Sequence, residues 1–520
     1  MSKLRGYYSL VLVTVTGAVV MGLEILGTRV IGTVYGSSLF VWGALITTTL
    51  VCLAIGYTIG GLIADRWPMD WLLYLLILLT GIATLGIPAA QGILEPSYRY
   101  FGLRWGALVS AFIIFAFPLT LLGMASPFVI RLCTRSIGVI GRTAGVVFAL
   151  STAGSVAGTL LTSFHLIPQL GTRWSIIINA LALILVSAGG LIISRGKWAS
   201  ITLIATILAL PVARSGVPIC DEILFRTESP YGRLVVVQKH SSPDQPAYRM
   251  LFINGILQTG MPMDIDRRDR TSMLRTQSYY LELLPYFGDD PDKPRKCLLI
   301  GLAGGLFTRV MRLYPVDITA VEIDAKVVDI ARKFFGYRGK VFIQDGRRFL
   351  HSCKERYDFI VLDAYNSDTI PFHLITREMF QSVRKHLTDD GILAINYIGA
   401  PDGDTVTDSL TRTLMNVFGN ENVIAYRSTD DPKAVQVIYF FAFRGKVSEP
   451  TLPIDRWASS SGQVDPLIYE LWSRRLNLSP SKGIIITDDH NPIDIARVKT
   501  ALAWRAQTLQ QFGKLMLYRF

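Results

Sequence analysis

Charge is scarce in this chain. Of 520 residues only 18% are charged, while 50% are hydrophobic; an ordinary soluble domain carries about 25% charge. The deficit is local. Residues 30–64, 71–94, 105–130, 143–172 and 174–194 contain no Asp, Glu, Lys or Arg. Each run is long enough for a helix crossing hydrocarbon, which needs about 20 residues, and this excludes a wholly soluble chain. Cysteine is scarce too. Cys52, Cys133, Cys220, Cys297 and Cys353 are odd in number and never in a CxxC pair, so neither a zinc site nor a disulfide framework is expected, and a reducing compartment fits weakly. No basic-aromatic cluster is present, which argues against nucleic acid as a partner. No repeat of broken helices or of buried charges marks an ion path, which argues against a transporter.

What charge there is has a pattern. Residues 1–214 hold 13 Lys and Arg against 4 Asp and Glu, whereas residues 215–520 hold 39 against 36. The basic excess therefore sits between apolar runs, as in cytoplasmic loops. With the N-terminus inside, the inner segments carry Lys3, Arg5, Arg66, Arg131, Arg135, Arg142, Arg195 and Lys197, and the outer ones Arg99, Arg104 and Arg173. The first apolar segment, about Tyr7 to Gly32, is too long for a cleaved signal. Its one acid, Glu24, is expected to face the bundle interior or to lie near the interface beside Arg29. Trp198–Ala213 has only 16 residues and is expected to lie in the interface, leaving six spans and a cytoplasmic C-terminal half; were it a seventh true span, the C-terminal half would stand outside. Gly56 with Gly60, and Gly154 with Gly158, are spaced for close helix packing.

After Ile223 the texture changes. Leu234-Val-Val-Val and Met250-Leu-Phe-Ile read as strands punctuated by Pro243, Pro246, Gly255 and Gly260, a small β-domain. From Pro294 strands alternate with helical stretches. The expected strands are Cys297-Leu-Leu-Ile, Ile318 to Glu322, Val341-Phe-Ile, Tyr357 to Leu362 and Ile392 to Tyr397. This is the pattern of a doubly wound, Rossmann-like parallel sheet with its ligand at the strand C-termini. The expected architecture is a multi-pass α-helical membrane domain over 1–215, a small β-domain over 216–285 and an α/β Rossmann-like, methyltransferase-type domain over 286–520.

The chemistry-bearing residues fall at those strand ends. Gly301-Leu-Ala-Gly-Gly follows the first strand, and its glycines let backbone approach a ligand. Glu322 ends the second strand, 21 residues after Gly301, where a carboxylate can accept both ribose hydroxyls. Asp345-Gly346 follows the third strand and Asp363 the fourth. No Walker lysine follows the glycine loop, so a triphosphate is not supported and an adenosine-type ligand is. Taken alone, each acid could simply cap a helix.

These segments resemble a known family. Glu228-Ser-Pro-Tyr231, Ile253-Asn-Gly-Ile-Leu-Gln258, the Gly301 loop, Val321-Glu-Ile-Asp324, Gln344-Asp-Gly346, Val361-Leu-Asp-Ala-Tyr-Asn-Ser-Asp368 and Thr487-Asp-Asp-His-Asn-Pro492 are similar to the spermidine synthase (polyamine aminopropyltransferase) family. Leu23 to Arg29 and Gly60 to Arg66 resemble its membrane-fused bacterial branch, which implies a bacterial inner membrane. The resemblance implies S-adenosylmethionine or its decarboxylated form as substrate, with no metal. It implies Glu322 on the ribose, Asp345 on the adenine amino group, and Gly301, Gly304, Gly346, Gln258 and Tyr231 lining the nucleoside site. Asp363, Asp368 and Tyr279 would serve catalysis.

The departures concern the amine. The glycine loop lacks the family's Asp, Tyr231 is followed by Gly232, Tyr279 stands where the family has Tyr-His-Glu, and Asn366 replaces the second Asp of Asp-x-x-Asp, leaving Asp368 to substitute. The expected activity is cleavage of the bond from sulfur to the three-carbon chain with release of methylthioadenosine, either by aminopropyl transfer to an amine or by an intramolecular cyclising cleavage. Methyl transfer and non-enzymatic nucleoside sensing are the alternatives. The expected partners are the small sulfonium nucleoside and the lipid bilayer, not nucleic acid, with a homodimer as the assembly to test.

Overall fold

A computed structural model describes residues 3–36, 39–134, 139–195, 223–239, 248–263, 279–287, 290, 292–312, 314–447, 473–480, 482–491 and 498–516. The chain divides into two compact units. One comprises Met1–Cys220, Thr227–Arg233 and Gly513–Phe520, the other Asp221–Arg226 and Leu234–Phe512.

The first unit is helical. Lys3–Tyr35, Leu39–Arg66, Asp70–Leu85, Leu94–Gly123 continued by Ala125–Cys133, Ile140–Leu161 and Ile167–Arg195 are its long elements. Four helical stretches among the described residues are long and apolar enough to cross a membrane: Arg5–Tyr35, Phe40–Arg66, Ile87–Cys133 and Ile140–Ser194; the shorter Asp70–Leu85 is apolar as well. The paired glycines do pack helices closely. A Cβ at Gly56 would stand 2.2 Å from the Thr120 carbonyl oxygen, and one at Gly60 2.6 Å from the Met124 Cα. At Gly154 and Gly158 it would stand 2.0 Å and 2.2 Å from the carbonyl oxygens of Thr14 and Ala18. Lost side chains are what let these backbones meet.

Two features depart from expectation. Broken helices do recur. The chain leaves helical geometry at Gly102 (φ 68°, ψ −175°) and again at Gly171 (φ 79°, ψ 171°). Each break opens a Gly-x-Arg-Trp sequence, with Trp105 and Trp174 exposed on the helix surface. Positive φ is cheap only for glycine, and exposed tryptophans beside arginine suit a membrane interface. Second, Arg29 does not turn to Glu24. Its guanidinium donates to the carbonyl oxygens of Ser229 (3.4 Å) and Pro230 (2.6 Å).

The ends of this unit are well marked. At one, Arg5 donates to Asp70 and to the carbonyls of Ile193 and Ser194. At the other, the Tyr35 hydroxyl meets the Leu94 carbonyl and Ser110. Six traverses bring Arg195 back to the Arg5 end. The Thr227–Arg233 turn is at the Tyr35 end, where Glu228 accepts the Thr172 amide at 3.1 Å and the Thr172 hydroxyl. The expected interfacial segment Trp198–Ala213 lies outside the described residues.

The second unit holds two sheets, the β1–β2 turn of the first belonging to the helical unit. Strands β1 (Ile223–Ser229), β2 (Gly232–Lys239), β3 (Tyr248–Ile253) and β4 (Ile256–Pro262) form a four-stranded sheet in that order. The second sheet contains β5 (Arg295–Ile300), β6 (Val316–Glu322), β7 (Lys340–Ile343), β8 (Tyr357–Leu362), β9 (Leu387–Gly399), β10 (Val423–Arg427) and β11 (Gln436–Phe443), in the order β10-β11-β9-β8-β5-β6-β7. Strands β5 to β9 are parallel, as their apolar runs predict. The sheet is nevertheless mixed, because β11 inserts antiparallel beside β9 and carries β10 on its far edge. Every residue of β11 is buried, so its apolar run is packed on both faces. Order reverses at β5, between β6 and β8, and the C-terminal ends of these strands flank that switch point.

Candidate active site

The first parallel strand ends at Ile300, and the chain must then turn sharply. Gly301 adopts φ 96°, and a Cβ there would stand 2.2 Å from the carbonyl oxygen of Asp363. Only glycine fits this close approach of two strand ends. Ala303, two residues on, is held at φ 47°, a strained setting for a non-glycine residue. The Gly304 amide donates to Thr259 Oγ1 at 2.9 Å, which ties the loop to β4.

Glu322, at the end of β6, reaches under this loop. Its Oε2 accepts the Leu302 amide at 2.9 Å and its Oε1 the Asp324 amide at 3.1 Å. A carboxylate offers about four acceptor positions, so these amides do not exhaust its capacity. Burial pushes the Glu322 carboxyl up, and these amides pull it back. Asp324 starts the next helix by accepting the Lys326 amide.

Asp363 ends β8, beside Gly301. Its Oδ1 accepts a hydrogen bond of 2.8 Å from the side-chain amide of Asn396 on β9. Burial raises the Asp363 carboxyl to about 7, against the Asn396 hydrogen bond and with the help of the neighbouring Glu322 charge. No helix starts at Asp363. The chain instead makes a tight turn in which the Asn366 amide bonds the Thr369 carbonyl at 2.7 Å. Helix capping is therefore no account of this residue.

It is an account of Asp345. Its Oδ1 caps the helix Gly346–Ser352 through the Arg348 amide, and its Oδ2 meets His373 Nε2 at 2.9 Å. The His373 contact is the first cause of its lowered carboxyl pKa. Gly346 is buried against Ile300. Beside them Arg347 forms a two-pronged pair with Asp488, and Asn491 bonds the Phe372 carbonyl. The Thr487–Pro492 motif is thereby latched to the Asp345 corner.

Asp368 is not the free acid that the sequence suggests. It pairs at 3.0 Å with Arg505, whose side chain is fully buried. Arg505 also donates to Ser367 Oγ and to the Asn254 carbonyl. Gln258 bonds the Ser367 carbonyl at 2.9 Å, so it supports the loop after β8. Tyr231 belongs to the Thr227–Arg233 segment of the helical unit and is half exposed. Tyr279 opens the 3₁₀ helix Tyr279–Phe287, and its side chain lies outside the described set. The structure thus brings Gly301, Glu322 and Asp363 to one sheet edge, places Gly304 and Gly346 behind them, and adds Asn396, His373 and Arg505.

Known proteins resemble this part of the chain. Residues 279–400 match the family model of the spermine/spermidine synthase domain. That match takes in the glycine loop, Glu322, Asp345 and Asp363. The chain is 30% identical over 224 residues to a probable polyamine aminopropyl transferase of Bifidobacterium longum (strain NCC 2705), covering 39% of this chain and 49% of that protein. It is 34% identical over 136 residues to a polyamine aminopropyltransferase of Vibrio vulnificus (strain CMCP6), covering 24% and 44%. A solved spermidine synthase from Thermotoga maritima is 20% identical, with a TM-score of 0.33, over 57% of this chain and 87% of that one. The chain spans about half the length of the curated relatives it matches.

Proposed function

We propose that this protein is a membrane-bound, spermidine-synthase-like transferase that cleaves the bond from sulfur to the three-carbon chain of S-adenosylmethionine or its decarboxylated form and releases methylthioadenosine. The observation that carries this reading is Asp363, a carboxyl poised near neutrality and set against a glycine loop and Glu322. The Gly301 loop offers backbone at close range, and Glu322 keeps acceptor positions for the ribose. Asp345, already held by His373 and Arg348, offers its remaining lone pairs to an adenine amino group.

The sulfonium carries its own activation, so the protein's task is alignment. In aminopropyl transfer a new nitrogen–carbon bond forms as the carbon–sulfur bond breaks. The electron pair goes to sulfur, and the proton of the attacking amine goes to Asp363. In the cyclising alternative the nucleophile is the substrate's own amine or carboxylate.

The acceptor side favours a poorly cationic nucleophile. A polycation needs several carboxylates to replace its hydration, and Asp368 is already neutralised by Arg505. Mass spectrometry after incubation of the purified chain with each sulfonium is the test. Methylthioadenosine is the expected product. S-adenosylhomocysteine would replace this reading with methyl transfer, and no product would leave nucleoside sensing.

We also infer that the chain lies in a bacterial cell membrane with its N-terminus on the cytoplasmic side, on the strength of the loop charges. Residues 227–233 stand at the end of the helical unit opposite Arg5, which supports placing them on the outer face. The expectation from the sequence is the opposite, a cytoplasmic C-terminal half. A Cys introduced at exposed Tyr231, in a chain stripped of its native cysteines, should react with an impermeant maleimide added to intact spheroplasts. Labelling only after lysis would place residues 227–233 on the cytoplasmic side.

A further inference from the structure

We propose that Asn396 is a positioning residue for the reaction, fixing one oxygen of Asp363 so that the other faces the reacting atoms. The inference rests on the functional reading above but is tested apart from it. Asn396 lies in the middle of β9, flanked by buried Ile395 and Tyr397. A polar side chain in so apolar a strand costs free energy unless its groups are satisfied. Only half of it is satisfied. Nδ2 donates to Asp363 Oδ1 at 2.8 Å, but Oδ1 of Asn396 is buried and has no partner among the described residues.

A buried pair kept for stability alone would be as well served by apolar residues of the same shape at both positions. An Asn that holds a carboxylate by a single directed donor has another use. The strand beneath it is pinned as well, since the Tyr365 hydroxyl donates to the Asn396 main-chain carbonyl at 2.8 Å. Tyr365 lies on the turn that follows Asp363. The amide and the carboxyl are therefore braced from both strands.

Two groups and burial itself bear on Asp363. From β6 the Glu322 charge disfavours its ionisation, from β9 the Asn396 amide favours it, and desolvation disfavours it. The Asn396 donor keeps Oδ1 engaged when the group is ionised, so Oδ2 is the oxygen left to take a proton. The orphaned Asn396 Oδ1 gives the pair a second arrangement. Once Asp363 is protonated, its hydroxyl can donate to that acceptor.

Two variants separate positioning from packing. Asn396→Leu removes both amide groups. Asn396→Asp keeps the shape but turns the donor into an acid, so it still reports if the Leu variant fails to fold. The readout is the carboxyl stretch of protonated Asp363 in the full-length chain. It is isolated by infrared difference against Asp363→Asn and followed with pH, and it needs no turnover. A hydrogen bond to a charged group is worth about 1.5–3 kcal/mol, so both variants should raise the midpoint by roughly one to two pH units. Turnover in each should fall with unchanged affinity for methylthioadenosine, and its pH profile should move with the infrared midpoint. An unmoved midpoint in Asn396→Asp would overturn the assignment whatever the reaction proves to be. A shifted midpoint without turnover in the parent would retain the pairing and discard the enzyme.

Discussion

Replacing Asp363 by Asn tests the site at its centre. Folding raises this carboxyl from its ordinary 3.8 to about 7, so the folded chain binds the proton more tightly than the unfolded one. For such a group the stabilising contribution is fully present below pH 3.8 and is lost as pH rises towards 7. The distance between the two values, at 1.36 kcal/mol per pH unit, corresponds to about 4 kcal/mol. Asn carries no charge at any pH, so Asp363→Asn should lack this dependence. Between pH 4 and 8 the variant should gain up to about 4 kcal/mol on its parent. Glu322 titrates in both chains and largely cancels from the difference. Pulse proteolysis of the detergent-solubilised full-length chains in denaturant gives that difference directly. Turnover should move the other way. Removing a positioned general base costs about 10²–10⁴ in rate, while affinity for methylthioadenosine should hold. Parallel stability curves would refute the burial argument, and a wild-type rate would refute the role.

Four further outcomes follow from other parts of the molecule. Glu322→Gln should weaken methylthioadenosine binding by about 100-fold in calorimetric titration, since it loses charge-assisted bonds to the ribose; unchanged affinity would remove Glu322 from the site. Putrescine should be a poor acceptor in a coupled methylthioadenosine assay. Arg505→Met should cost about 3–5 kcal/mol by stranding Asp368, and the added change Asp368→Leu should recover most of it; full stability in the single variant would mean that the pair carries no load. Gly154→Leu should lower stability by about 1–3 kcal/mol through overpacking against Thr14, seen as earlier loss of the monodisperse peak on heating in detergent.

Much of the sheet was legible because buried parallel strands read as short apolar runs bounded by glycine and acid. Cys297–Ile300 and Tyr357–Leu362 are such runs, and their ends carry Gly301 and Asp363. The antiparallel pair β10 and β11 was missed although Val437-Ile-Tyr-Phe-Phe is as apolar, because it follows the expected repeat and breaks its alternation with helices. Asn396 left a faint signal, one polar residue inside Ile392–Tyr397. His373 and Arg505 left none. Their partners lie 28 and 137 residues away, and nothing local in a sequence reports such a distance. Asp368 shows the same limit from the other side, since its motif is intact and its charge is nonetheless spent on Arg505. The Gly-x-Arg-Trp repeat was present in the sequence, but its meaning depends on a backbone angle.

The close contacts of the first helix bear on how the protein is made. Gly17 has Ser151 as its neighbour, and Thr14 and Ala18 meet Gly154 and Gly158. Those partners emerge more than a hundred residues later. At about 5–20 residues per second, the leading helix waits on the order of ten seconds for them. During that interval its grooved face is open to lipid or to the insertion machinery, and Arg5 lacks the Ile193 carbonyl that it later holds. The first helix therefore waits on Ile140–Leu161, and a truncation before Ile140 leaves it without the surface it is shaped to meet.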